Sequence, residues 1–246
     1  MPNEHLLMIV VALGAGAFVK GVTGMGLPLI AIPVLATGLG LPHAISVMTI
    51  PIIVTNAWQV WRFRGESSSP NLRFLLPMIL AGACGIALGT WVLTRLDERT
   101  LSIILGSLLL GYVILRLLRP NMTLRAVSAG YVAAPIGFAA GLLQGSTGLS
   151  SPIVVTFIHT MRLSYAPHVY AVSVIFLMLS VAQFPALIVS GILRWAWLIE
   201  GVFAMLPILC FMPLGQWVGA RISHTTFDRA VLTLIGLMGA KLAADF

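Results

Sequence analysis

Two short elements, KGVTGMGLP at 20–28 and QGSTGLSSP at 144–152, place glycine, proline and hydroxyl residues in the middle of long apolar stretches. Glycine and proline there break a helix. A backbone break inside hydrocarbon is tolerated only where it is buried in protein or lines a cavity. Its N–H groups and positive helix ends suit an anion. Gly21, Gly24, Gly26, Gly145 and Gly148 would let the backbone come close to such a ligand, and Thr23, Ser146, Thr147, Ser150 and Ser151 add hydroxyl donors. Lys20 sits between GAGAFV and GVTG, far from either end of its apolar stretch. A lysine inside a membrane is costly and usually functional; the alternative is snorkelling to an interface. Asn56, Gln59, His159 and Gln183 are further polar residues in apolar runs. Asn56 and Gln59 are three apart and share a helix face, although the commoner fate of a lone membrane glutamine is an interhelical hydrogen bond. His159 and His168, around Arg162, read as interfacial. Small-residue patterns also serve simply to pack helices, but two matched copies, each with a proline and a polar neighbour, favour a binding site.

Other chemistries lack their residues. The acids Glu4, Glu66, Asp97, Glu98, Glu200, Asp228 and Asp245 read as lying in or near loops or chain ends, with no carboxylate mid-membrane to carry a proton or cation. No GxxxxGK element precedes a Ser or Thr to cradle ATP, and no HExxH pair is present. Gly24-Met25-Gly26 is no dinucleotide fingerprint, because no strand leads into it. Cys84 and Cys210 fall inside apolar helices and read as small buried packing residues, without the spacing of a metal site or a disulfide framework. The reading is therefore not an enzyme, and without a cofactor.

The elements that must position these residues are membrane helices. Of 246 residues, 59% are hydrophobic and 9% charged, and mean hydropathy is +1.03; a soluble domain carries about 25% charged residues. Apolar segments run at 5–40, 43–61, 72–94, 100–118, 126–161, 166–192, 196–220 and 226–243. They are too continuously apolar for alternating barrel strands, so helices cross the bilayer. The net charge of +7 comes from arginines in short gaps between these segments, which is the signature of cytoplasmic loops and not of nucleic-acid binding. The first apolar stretch lacks a basic start, with Glu4 and His5 before it, and reads as part of the mature protein. GESSSPN at 65–71 and Pro120-Asn121 supply loop breakers.

The fold class expected is all-α integral membrane, with two homologous repeats of four hydrophobic segments, residues 1–120 and 121–246, within one membrane domain. Gly21, Thr23, Gly24 and Pro28 align with Gly145, Thr147, Gly148 and Pro152, and Gln59 aligns with Gln183, all at an offset of 124. GTWVLTRL at 89–96 aligns with GQWVGARI at 215–222 at an offset of 126, which also pairs Cys84 with Cys210. The first segment of each repeat is too long for one crossing: residues 5–40 would extend about 54 Å as one helix, against roughly 30 Å of hydrocarbon. Each is read as two half-helices, forming either a re-entrant hairpin or one bent crossing. Loop charge favours the hairpin and inverted repeats. That arrangement places Arg62, Arg64, Arg73, Arg116, Arg119, Arg125, Arg162, Arg221 and Arg229 inside, and Arg95, Arg99, Arg194 and Lys241 outside. Parallel repeats divide the charges less unequally.

At these residues the chain resembles a known family. KGVTGMGLPLIAIPVL and QGSTGLSSPIVV are similar to the duplicated signature of the TauE/SafE-type exporters, the sulfite and organosulfonate permeases of the toluene-sulfonate uptake family. Met25-Gly26 stands where that signature often has Gly-Gly, and Ser150-Ser151 where Gly is common. The resemblance implies a secondary carrier in the inner membrane that exports small sulfur-containing anions such as sulfite or sulfoacetate-like sulfonates. The anion is expected near the midplane between the broken helices. The candidate site residues are Lys20, Gly21, Thr23, Gly24, Asn56, Gln59, Gln144, Gly145, Ser146, Thr147, Gly148 and Gln183. The partners expected are a small anion and membrane lipid, not nucleic acid, with a homodimer left open. An anion channel or a non-transporting scaffold subunit are the alternatives.

Overall fold

A computed structural model describes residues 3–68, 72–118, 126–219, 221 and 224–244, with side-chain surroundings for 7–67, 72–118, 130–219, 221 and 231–244. Arg119, Pro120-Asn121, Arg125, Asp245 and the side chains of Glu4, His5, Asp228 and Arg229 lie outside that description. Among the described residues every element is helical: α1 (Asn3–Thr23), α2 (Leu27–Leu39), α3 (Leu41–Arg62), a 3₁₀ turn (Arg64–Ser68), α4 (Leu75–Arg95), α5 (Glu98–Leu118), α6 (Ala126–Thr147), α7 (Ser151–Thr160), α8 (Tyr165–Val189), α9 (Trp195–Phe203), α10 (Met205–Gly219) and α11 (His224–Ala244). Leu41–Arg62, Leu75–Arg95, Glu98–Leu118, Tyr165–Val189 and Trp195–Gly219 are long and apolar enough to cross a membrane.

Both long first segments break at their glycines. Gly24 and Gly26 take φ of 78° and 104°, and Gly148 takes 75°. Side chains rarely adopt this left-handed conformation, so the α1 and α6 helices end there. Pro28 and Pro152 stand at the second position of α2 and α7, where a helix has no use for their missing N–H. After its break, α2 runs back along α1. A Cβ on Gly26 would lie 3.2 Å from Val19, one on Gly16 would lie 3.3 Å from the Ala31 Cβ, and one on Gly38 would lie 2.6 Å from Met8 Sδ. Partners descend along α1 as α2 rises, which is a helical hairpin.

The chain divides into two compact units, each drawing on both halves of the sequence. The first comprises Met1–Pro51, Leu96–Leu118 and Leu193–Phe246; the second comprises Ile52–Arg95 and Arg119–Ile192. In the first unit α1 packs on α10. A Cβ on Gly21 would lie 2.9 Å from the Cα of Gly215, so the two backbones touch. In the second unit α6 packs on α4, and a Cβ on Gly145 would lie 2.6 Å from the Ile86 carbonyl and 3.0 Å from the Gly89 carbonyl carbon. Gly145 is the offset mate of Gly21, and Gly89 that of Gly215. Within each unit, then, the first segment of one half meets the third segment of the other. Small residues let helices approach where apolar surface offers no net drive for association in lipid.

Segment 196–220 forms one candidate span, Trp195–Gly219, in which Pro207 has no N–H for the carbonyl of Phe203 and α9 gives way to α10. One expectation is corrected. Cys84 and Cys210 are not buried packing residues but exposed. On α4 the interface is taken by Gly82, Gly85, Ile86 and Gly89, which turns Cys84 to the outer side. Arginines lie over exposed tryptophans at helix ends, with Arg95 5.6 Å from the Trp91 ring centroid and Arg221 3.9 Å from that of Trp217. Such pairs suit a membrane–water boundary.

Candidate functional site

The two breaks share three hydrogen bonds. At the first, the Gly24 N–H donates to the Lys20 carbonyl at 2.8 Å; at the second, the Gly148 N–H donates to the Gln144 carbonyl at 2.8 Å. The Thr23 hydroxyl donates to the Val19 carbonyl at 2.9 Å and accepts from the Met25 N–H at 3.2 Å. The Thr147 hydroxyl donates to the Leu143 carbonyl at 2.8 Å and accepts from the Leu149 N–H at 3.3 Å. Every partner is related by the same offset of 124. These threonines satisfy backbone groups freed where the helix stops. Ser146 donates to the Leu142 carbonyl at 2.9 Å. The Thr147 and Ser146 hydroxyl hydrogens are thus engaged within α6, and the Thr23 hydroxyl is shared between the Val19 and Met25 carbonyls, which sequence alone had no means of telling.

The second break carries a buried amide network. Gln144 Nε2 donates to Gln183 Oε1 at 2.9 Å, and Gln183 Nε2 donates to the Gln144 carbonyl at 2.7 Å. Gln144 Oε1 in turn accepts from the Ser150 N–H at 3.1 Å and the Ser150 hydroxyl at 2.8 Å. One side chain therefore spans the break from the end of α6 to the start of α7 and ties both to α8. Ser151, the first residue of α7, is 1% exposed, and its hydroxyl has no protein partner. In the same unit Gln59 Oε1 accepts from the Ser173 hydroxyl at 3.0 Å. Asn56, 1% exposed, donates to the Ile52 carbonyl of its own helix at 2.7 Å. Asn56 and Gln59 are both buried, as one shared face requires.

In the first unit Lys20 is 2% exposed, in the last turn of α1. That burial excludes snorkelling to solvent within the chain itself. Gly21 is committed to the α10 backbone, so its lack of a side chain serves packing. His159, in the last turn of α7, is exposed.

The structure adds a polar pair that the sequence reading passed over. Glu200 does not lie in a loop: it sits inside α9, 9% exposed, with Oε2 2.6 Å from His43 Nε2 of α3. The available signal was an acid several residues inside an apolar segment.

A comparison with protein families matches residues 8–242 to the family described as Sulfite exporter TauE/SafE. No curated protein and no solved structure matches the chain.

Proposed function

Because the chain belongs to the TauE/SafE sulfite exporter family, a family of membrane transporters, we propose that this multi-pass membrane protein is a secondary carrier that exports small sulfur-containing anions, sulfite or an organosulfonate. Within that reading the anion is recognised at the helix breaks. The observation that carries the proposal is the second break, where the first turn of α7, the Gln144–Gln183 amides and the unpartnered hydroxyl of Ser151 meet in a buried place. A buried hydroxyl without a partner costs about 1–3 kcal/mol, and the first-turn N–H groups of a helix favour an anion. In the first unit, the other break carries the buried Lys20 beside Gly21, Thr23 and Gly24. Gly145, Ser146, Thr147 and Gly148 shape the second, and Asn56 and Gln59 add buried amides on α3.

The three hydrogen bonds that the breaks share at an offset of 124 support two repeats, 1–120 and 121–246. The α1–α2 hairpin supports three full crossings in the first repeat, which makes the second inverted. Inverted repeats with discontinuous helices are a recurring basis of alternating access. In an inner membrane, a potential negative inside favours the exit of an anion. Counterflow of radiolabelled sulfite in proteoliposomes tests the reading. A carrier accelerates label entry when unlabelled sulfite is trapped inside, and Gly148→Leu, still present in the membrane, abolishes the effect. Label entry indifferent to trapped sulfite rejects a carrier for this anion.

A further inference from the structure

His43 and Glu200 answer to none of the anion chemistry above. His43 Nε2 and Glu200 Oε2 are 2.6 Å apart. The His43 ring stacks on Trp197 with centroids 4.4 Å apart and planes inclined by 16°. The contact is set by the backbone. A Cβ on Gly201, the neighbour of Glu200, would lie 2.6 Å from the Val47 carbonyl and 3.7 Å from the Pro51 ring. Val47 is one turn beyond His43, and Pro51 is the residue whose N–H its carbonyl would ordinarily receive. Glycine at 201 therefore lets α9 close on α3 where the α3 ladder is interrupted, and this closure brings the Glu200 carboxylate to the imidazole. Two further charged groups reach this end of α3. Glu98 of α5 accepts from the Leu41 N–H at 3.2 Å, and the Arg194 guanidinium lies 4.8 Å from the Trp197 ring centroid.

A carboxylate inside a candidate span is expensive, and such residues mark proton and ion pathways. Replacing a buried ion pair with well-packed apolar side chains is often neutral or stabilising, so stability is a weak account of the pair. Histidine is the side chain whose ordinary titration falls in the physiological range. We infer that His43 and Glu200 form a proton-binding site that couples anion transport to the proton gradient, an inference that rests on the carrier reading above. An imidazolium–carboxylate pair that takes up one proton becomes imidazolium beside carboxylic acid. Releasing one proton instead leaves neutral imidazole beside carboxylate. Either change alters the net charge of the first unit by one, which a carrier can use in one half of its cycle.

Two measurements test this, and the first needs no substrate. Infrared difference spectra of the purified wild-type protein, stepped between pH 5 and pH 8, should show a deuterium-sensitive carboxylic acid band that is absent from Glu200→Gln and displaced in His43→Gln. Where the imidazole carries the proton instead, the spectra should show imidazole ring bands that are absent from His43→Gln. A wild-type spectrum with neither the carboxylic acid band nor His43-dependent ring bands overturns the proton site whether or not the variants fold, and so does a carboxylic acid band that survives in Glu200→Gln when no ring band depends on His43. The second measures radiolabelled sulfite in proteoliposomes. Wild-type net flux should change at least threefold when the imposed pH gradient is reversed. Glu200→Gln should retain counterflow but lose that response. Net flux equally sensitive to the gradient in wild type and Glu200→Gln overturns the coupling. Absence of all sulfite flux in wild type strikes the carrier reading instead, and with it the coupling, while the infrared result still decides the proton site.

Discussion

Gln144 and Gln183 hold each other by two hydrogen bonds, side chain to side chain at 2.9 Å and side chain to backbone at 2.7 Å. Both are about 4% exposed. Gln183→Leu would strand the Gln144 Nε2 group in a buried place, at a cost of about 1–3 kcal/mol, while the Gln144 carbonyl keeps the Gly148 N–H. Thermal unfolding in detergent should show a lowered midpoint. The double variant Gln144→Leu/Gln183→Leu should lose less than the sum of the single ones, because each single change leaves partners unsatisfied that the other removes. Strict additivity would mean the two amides are not coupled.

The glycine crossing of α4 and α6 should tolerate no side chain. A Cβ on Gly89 would come 3.0 Å from the Cα of Gly145, and rigid backbone cannot yield as a side chain can. Gly89→Ala should destabilise the protein by roughly 1–3 kcal/mol. Gly111, where a Cβ would meet nothing within 4 Å, is the control: Gly111→Ala should be neutral or stabilising by up to about 1 kcal/mol. Equal unfolding midpoints for the two variants would contradict the close crossing.

Lys20 is where the two breaks differ in charge, since its offset mate is Gln144. Lys20→Gln makes them alike and should weaken anion binding at least about tenfold, or roughly 1.4 kcal/mol. Lys20→Arg should keep part of the affinity, because charge survives while geometry changes. Calorimetry with sulfite at fixed pH and salt measures this. Wild-type affinity in a folded Lys20→Gln protein would remove Lys20 from the site.

Inverted repeats make a prediction about sidedness. Ser164, ahead of α8, should face the cytoplasm, and Ser190, beyond it, the outside. Because Cys84 and Cys210 are exposed, both must be replaced before single cysteines are introduced. An impermeant thiol reagent added outside should label Ser190→Cys and spare Ser164→Cys; the reverse pattern would exclude the inverted arrangement.

The break positions were legible because their causes are local. Gly24 and Gly148 end their helices through their own φ, and Pro28 and Pro152 start the next ones through their own rings. The polar chemistry of the breaks was legible in residue type but not in use. Thr23, Ser146 and Thr147 carry hydroxyls that an anion could receive, and each donates to a carbonyl one turn earlier. A hydroxyl near a helix end has both choices, and composition does not distinguish them.

The sequence by itself determined that the chain is a set of membrane helices with two matched interruptions, since apolar length, glycine and proline act residue by residue. Which faces meet was decided by the tertiary structure. In water a buried face announces itself by being apolar against a polar opposite side. In lipid both faces are apolar, so Cys84 could point outward and Gly85 inward on one helix without any change of pattern. For the same reason Gly21 against Gly215, Gly145 near Gly89, and Glu200 against His43 depend on distant segments meeting, and no spacing along the chain encodes that.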